Sequence, residues 1–319
     1  MEKIFILGAG ISGIYSKLTN RKAFLMDKYE KIIINSRLIN IISGNDSNAI
    51  MERKLDIKDK IINIDFANRL IETVNNKYNY DKIIIALGSS QNVLPGTVGL
   101  NSIDDAYIIK NLSENAKKIC IIGGGYLGVE LAGIFRERSI IVSPFIMEKN
   151  KAAGTYLERL LIKMGVSIIK DRALEYKNKK LILKNSEVEC DLAIYAGGTT
   201  GNHLISNLDI KSNRSSIIVN KYLRSVEYDD VYACGASAYF NQPMTVYNAM
   251  KSGIIAMKNI TGHKIEYKPD NRNIVNINNN FYLINSKGIS KNYKSTFIKI
   301  IKNARSRSTD HAIGKINSL

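Results

Sequence analysis

Two stretches of the chain share one order of parts: a short apolar run, a cluster of glycines, then a helix-compatible segment. The first runs over 3–7, then GAGISG at 8–13, then 14–19; the second runs over 118–122, then GGGYLG at 123–128, then 129–138. Each reads as the strand–turn–helix opening of a βαβ unit. A unit repeated about 115 residues further on implies two α/β lobes in one chain. The length of 319 residues suits two domains at roughly 100–200 residues each.

A lone G-x-G-x-x-G is weak, because glycines crowd ordinary turns, but the setting sharpens this one. Gly8 makes the tight turn, Gly10 lets backbone approach a pyrophosphate, and Gly13 lets the helix pack closely on its strand. The N–H groups at the helix start then face the phosphates. Asp27 follows a strand expected over 23–26, where a carboxylate binds the ribose hydroxyls of an adenine nucleotide. Gly123, Gly125 and Gly128 repeat the spacing, with Glu130 two residues on.

Between the loops, 61–65, 69–74 and 82–87 read as strands with a turn at Asn75-Asn76. Beyond the second loop a helix is expected over 156–164, ended by Gly165 as its left-handed cap. Strands are expected over 166–169, 180–183, 192–196 and 230–234, and a helix over 246–260.

Further motifs stand in order: YDKIIIALGS at 80–89, LPG at 94–96, DDA at 104–106, GGGYLGVELAG at 123–133, GGTTGN at 197–202 and VYACGASA at 231–238. Together they resemble the two-dinucleotide-binding-domain flavoproteins, the FAD/NAD(P)-dependent pyridine nucleotide-disulfide oxidoreductase superfamily. The resemblance reaches residue 262. It implies two Rossmann-like dinucleotide-binding domains, the NAD domain inserted in a discontinuous FAD domain, plus a short basic C-terminal α+β segment. The implied boundaries are 1–112 and 201–262 for FAD, 113–200 for NAD(P)H and 263–319 for the basic segment. Gly8, Gly10, Ser12, Gly13, Asp27, Gly88 and Gly235 would touch FAD. Gly123, Gly125, Gly128 and Gly198 would touch the nicotinamide nucleotide, with Glu130 as the candidate catalytic residue. The protein's part is to position and shield two rings whose electron chemistry belongs to the cofactors.

Four departures from the family pattern stand out. Ala236 follows Gly235 where the family has an Asp that holds the ribityl chain. The loss of such a charge-assisted hydrogen bond weakens binding by on the order of 1.5–3 kcal/mol. The acidic residue that ends the second strand of the nicotinamide domain is missing; its position falls near Ile146, Glu148 is the nearest carboxylate, and Pro144 interrupts the strand. NADH and NADPH are therefore not distinguished. Leu87 takes the Thr place of the usual Ala-Thr-Gly turn. No redox cysteine pair is present: 40–47 holds Ser43 and no Cys, and Cys120, Cys190 and Cys234 read as core residues.

Without a thiol relay, electrons would leave the flavin for a diffusible acceptor, a quinone first, with oxygen or a one-electron carrier behind it. This resembles the type II NADH dehydrogenases, whose quinone-side motif would fall on 246–251 before Gly253. Only Ala249 and the glycine match; Tyr247, Met250 and Lys251 would line an apolar acceptor pocket, or the helix simply packs on the FAD domain. The rival reading from another class is a degenerate member that keeps the fold for binding or regulation.

The net charge is +17, and residues 264–319 hold 11 basic against 3 acidic side chains. Within Lys291–Arg307, Phe297, Ile300, Ile301 and Ala304 form one helical stripe flanked by lysines and arginines. Such a basic amphipathic helix suits an anionic membrane surface; the alternative is a helix docked on the protein's own body or at a homodimer interface. No aromatic platform or DNA motif accompanies the charge, which argues against nucleic acid. With 45% hydrophobic and 24% charged residues, global disorder is excluded. The apolar start is too short for a secretory signal, no run spans a membrane, and the three scattered cysteines suit a reducing cytosol. The expected place is the cytoplasm, peripheral on the inner membrane face. His203, His263 and His311 make no metal-ligand spacing.

Overall fold

The computed structural model describes residues 2–44, 49–240, 243–278, 280–285, 287–290 and 307–318. Its first sheet is wholly parallel, with strands in the order Val231–Ala233, Lys82–Ile85, Ile4–Leu7, Phe24–Asp27 and Ile57–Lys58. Its second is parallel too, in the order Ser167–Ile169, Ser139–Val142, Ile119–Ile122 and Leu192–Tyr195. The fifth strand of the first sheet thus enters only after the second sheet is complete. Ile4–Leu7 and Ile119–Ile122 are buried at every residue, as strands covered on both faces must be.

Each lobe also carries a three-stranded antiparallel meander, over Ile61–Asp65, Leu70–Thr73 and Lys77–Asn79 in the first and Ala173–Lys177, Lys180–Leu183 and Glu187–Glu189 in the second. The duplication therefore extends from the glycine loops through the whole crossover. Helix Lys151–Lys163 starts earlier than its hydrophobic pattern suggests, because the Asn150 side chain accepts the Ala153 N–H and caps it. Gly165 follows with φ +82, the left-handed turn expected of it.

Helix Val246–Ile260 closes the first lobe by crossing helix Ile11–Thr19. Gly253 makes the crossing feasible: a Cβ there would lie 2.1 Å from the Ser12 carbonyl oxygen. Ser16 Oγ fastens it by donating to the Gly253 carbonyl at 3.0 Å. A small antiparallel sheet, Asn273–Ile277, Asn280–Asn285 and Gly288–Ser290, lies on helix Tyr126–Phe135. Residues 307–317 are helical and dock on the first lobe, where Ala312, Ile313 and Ile316 join Ile14, Ile32 and Ile34 in one apolar cluster. Among the described residues no helix is long and apolar enough to cross a membrane.

Candidate functional site

The two glycine loops end the central strands of the two sheets and use their glycines for three different reasons. Gly8 has φ +103, and a Cβ there would lie 2.3 Å from the Ala86 carbonyl oxygen. Gly13 would place a Cβ 1.9 Å from the Gly8 oxygen, so any side chain would push the helix off its strand. Gly10 differs: its φ of −72 is ordinary, and nothing lies within 4 Å of a Cβ built there. The second loop repeats the pattern, with Gly123 2.5 Å from Ala196 O, Gly128 1.9 Å from Gly123 O and Gly125 facing open space. Gly88 and Gly198, with φ +78 and +101, also face open space near the ends of their sheets. The open glycines form cradles where a pyrophosphate can approach bare backbone at a helix N-terminus. The residues present therefore fit two dinucleotides.

Around the first loop, Asp27 accepts the Ala9 N–H at 2.7 Å and Arg53 Nη2 at 2.9 Å on Oδ2, and the Lys28 N–H at 2.7 Å on Oδ1. Ser12 is buried against Gly235, whose N–H donates to Ser252 Oγ at 2.9 Å. Ala236 follows in a single turn, its carbonyl accepting Ser216 Oγ at 2.8 Å, and offers no carboxylate to a ribityl chain. The chain crosses between lobes through the antiparallel pair Ser89–Ser90 and Thr200–Gly201, pinned by Asn202 Nδ2 donating to the Leu87 carbonyl at 3.0 Å. His203 lies in the turn after that crossing and bonds Asn92 at 2.8 Å.

In the second lobe the missing acidic position is Ser143, not Ile146. Gly8 N–H donates to Met26 O and Gly123 N–H to Val142 O, so the residue after Val142 matches Asp27. Ile146 is instead buried beneath Gly124, and Pro144 lies past the end of Ser139–Val142, so it interrupts no strand. Glu148 is exposed. Glu130 Oε1 accepts the Asn276 N–H at 2.8 Å, tying the glycine helix to the small C-terminal sheet. That sheet, Gly133 and Arg136 line a cavity of about 270 Å³ with Asn40 and Ser43, away from both glycine loops.

Lys251, expected in an acceptor pocket, spends its ammonium on the Lys268 carbonyl at 2.7 Å. The tail run Lys291–Arg307 lies outside the described residues, apart from Arg307 itself. Sequence reasoning missed Arg53, which reads as one more solvated charge in ERK but is buried to 3% exposure. It also missed that Cys120 and Cys190 meet in one buried cluster of the second lobe, where their mutual interaction pushes the Cys120 thiol up and the Cys190 thiol down. Burial pushes Cys234 up to about 11. All three cysteines are buried, so iodoacetamide at neutral pH is expected to modify none of them in the folded protein and all three in guanidinium, read by intact mass. Rapid native labelling of any of them would show a reactive thiol.

Two nested parallel sheets, each ended by an open glycine loop, have the architecture of a two-dinucleotide-binding fold. The model of the pyridine nucleotide-disulphide oxidoreductase family matches residues 2–253. The NADH-rubredoxin oxidoreductase of Clostridium acetobutylicum is 31% identical over 83% of this chain and 76% of its own. The type II NADH:quinone oxidoreductase of Staphylococcus haemolyticus is 23% identical over 81% of this chain and 82% of its own. Among solved structures, the water-forming NADH oxidase of Lactobacillus brevis bound to NADH has the same fold, with a TM-score of 0.78 at 17% identity over 89% of this chain and 75% of its own. The chain belongs to the pyridine nucleotide-disulphide oxidoreductase family, and it is an NAD(P)H oxidoreductase that uses FAD.

Proposed function

We propose that the chain passes electrons from NAD(P)H through FAD to a quinone-like acceptor outside itself, with no thiol relay. The observation that carries this is the pair of open cradles at Gly10 and Gly125. FAD is assigned to the first loop, held by Gly8, Gly10, Ser12, Gly13, Asp27, Gly88, Gly235 and the backbone at Ala236. The nicotinamide nucleotide is assigned to Gly123, Gly125, Gly128 and Gly198. We divide the chain into 1–112 with 201–262 for FAD and an inserted 113–200 for the nicotinamide nucleotide, a division that the nesting of the two sheets supports. A flavin held there would supply the two-electron chemistry that links hydride donation by the nicotinamide to reduction of the acceptor. The chain orients the pyrophosphates with helix N-termini and holds the riboses, and Glu130 is the polar group we assign beside the nicotinamide path. The three buried cysteines, none in the 40–44 stretch, support an acceptor that needs no disulfide.

A second reading is a small acidic electron-carrier protein, supported by the rubredoxin reductase relative and by the +17 charge, which would steer an acidic partner. We place the protein in the cytoplasm, with the basic 291–307 run as its contact to an anionic inner membrane face. The test is anaerobic titration of FAD-loaded protein. NADH is expected to bleach the flavin, and NADPH to do so comparably because Ser143 places no carboxylate against a 2′-phosphate. Added quinone is then expected to restore the colour faster than oxygen or rubredoxin. A colourless protein that takes up no FAD would support the degenerate reading; faster reoxidation by rubredoxin would replace the quinone.

A further inference from the structure

The last described residues of the chain reach back to the first glycine loop. Asn317 grips the peptide groups on both sides of Arg53: its Oδ1 accepts the Lys54 N–H at 2.9 Å and its Nδ2 donates to the Glu52 carbonyl at 2.9 Å. The helix that carries it is anchored by Ala312, Ile313 and Ile316, by Arg37 to Asp310 at 2.5 Å, and by Tyr15 to the Ser308 carbonyl at 3.1 Å. Arg53 itself is buried, its N–H donates to the Glu30 carbonyl at 2.7 Å, and its Nη2 holds Asp27. Among the described residues, its Nε and Nη1 have no hydrogen-bond partner. A buried guanidinium with two unmet donors is costly, so the segment needs an outside restraint to keep it there. Asn317 supplies that restraint through its two backbone bonds.

We propose that the C-terminal helix is a working part of the first dinucleotide site: Asn317 positions Arg53, and Arg53 positions and neutralises the Asp27 carboxylate that takes the ribose hydroxyls. This rests on the assignment of FAD to the first loop. Fixing the carboxylate with a guanidinium does two things. It removes the freedom of Asp27 to swing away from the Ala9 N–H, and it cancels a negative charge close to the site of a doubly charged pyrophosphate. Arg53 and Asn317 are positioning residues, because both act through Asp27.

The experiment uses the full chain and reads the ribose directly. FAD binding is followed by quenching of flavin fluorescence, and ADP and 2′,3′-dideoxy-ADP are used as competitors. The wild type is expected to prefer ADP by about tenfold, the size of one charge-assisted hydrogen bond. Asn317→Ala and Arg53→Met are each expected to cut that preference to about twofold and to weaken FAD by about tenfold. Arg53→Lys keeps the charge and is expected to recover part of both. Asn317 is exposed, so its variant is expected to stay folded even where an Arg53 variant does not; melting of the FAD-free protein checks this. An unchanged ADP preference in a folded Asn317→Ala protein overturns the proposal, leaving the helix as a prop. A wild type that binds no FAD, or does not distinguish the two competitors, overturns the assignment of the first loop, and the proposal falls with it.

Discussion

Gly10→Ala is expected to fold like the parent protein and lose FAD, whereas Gly13→Ala, three residues on, is expected to lose the fold. The two glycines share a motif and a spacing but not a reason. At Gly13 the new methyl would lie 1.9 Å from the Gly8 carbonyl oxygen, a backbone atom that cannot turn aside. Relief requires helix Ile11–Thr19 to move off strand Ile4–Leu7, which would also disturb its contact with Val246–Ile260. Overpacking of this kind costs about 3 kcal/mol or more, a large share of the roughly 5–15 kcal/mol that holds a domain. At Gly10 the backbone is in a region that alanine adopts freely, and nothing lies within 4 Å of the added methyl. The methyl instead fills the space a pyrophosphate needs for backbone contact. Melting temperature and bound flavin separate the two effects, and Gly125→Ala against Gly128→Ala repeats the experiment for the nicotinamide nucleotide. Equal loss of melting temperature in Gly10→Ala and Gly13→Ala would remove the argument for a cradle.

The parts of this fold legible in the sequence are those set by neighbours along the chain. Strand, glycine turn and helix are written within a few residues, so both loops, Gly165 and helix Val246–Ile260 fall where the pattern puts them. Parallel register is different, because no hairpin turn fixes it. That is why counting from Glu130 leads to Ile146, while the paired strands give Ser143. Long-range side-chain meetings leave no local mark at all. Cys120 and Cys190 come together because Ile119–Ile122 pairs with Leu192–Tyr195, and Asn317 reaches Arg53 across most of the chain length. The tail run is open to two readings for the same reason: a basic amphipathic stripe fits a bilayer or a protein face equally well, and the described part, 307–317, docks on the protein.

Asp27→Asn should be costly for stability as well as for binding, and its cost should largely vanish when Arg53 is removed with it. Arg53 has 3% side-chain exposure and Asp27 23%, so the cation is the more deeply desolvated partner. Burial lowers the pKa of Arg53 and the attraction of Asp27 partly restores it, so the carboxylate offsets part of the cost of burying the cation. Asparagine keeps the shape but leaves the buried charge uncompensated. Breaking one side of a buried pair costs roughly 3–5 kcal/mol, and the partial exposure of Asp27 argues for the lower end, about 3 kcal/mol. In Asp27→Asn/Arg53→Met no buried charge remains, and replacing such a pair by apolar volume is often neutral, so most of that loss should return. Affinity for FAD should return only in part, since an amide oxygen accepts a ribose hydroxyl more weakly than a carboxylate does. Urea midpoints at unchanged slope for the two singles and the double give the coupling energy directly. Additive single effects would mean that the ion pair stabilises nothing. A strong coupling in stability, with FAD binding still weakened in the double, would show that the pair is kept for the nucleotide, because an uncharged pair would hold the loop equally well.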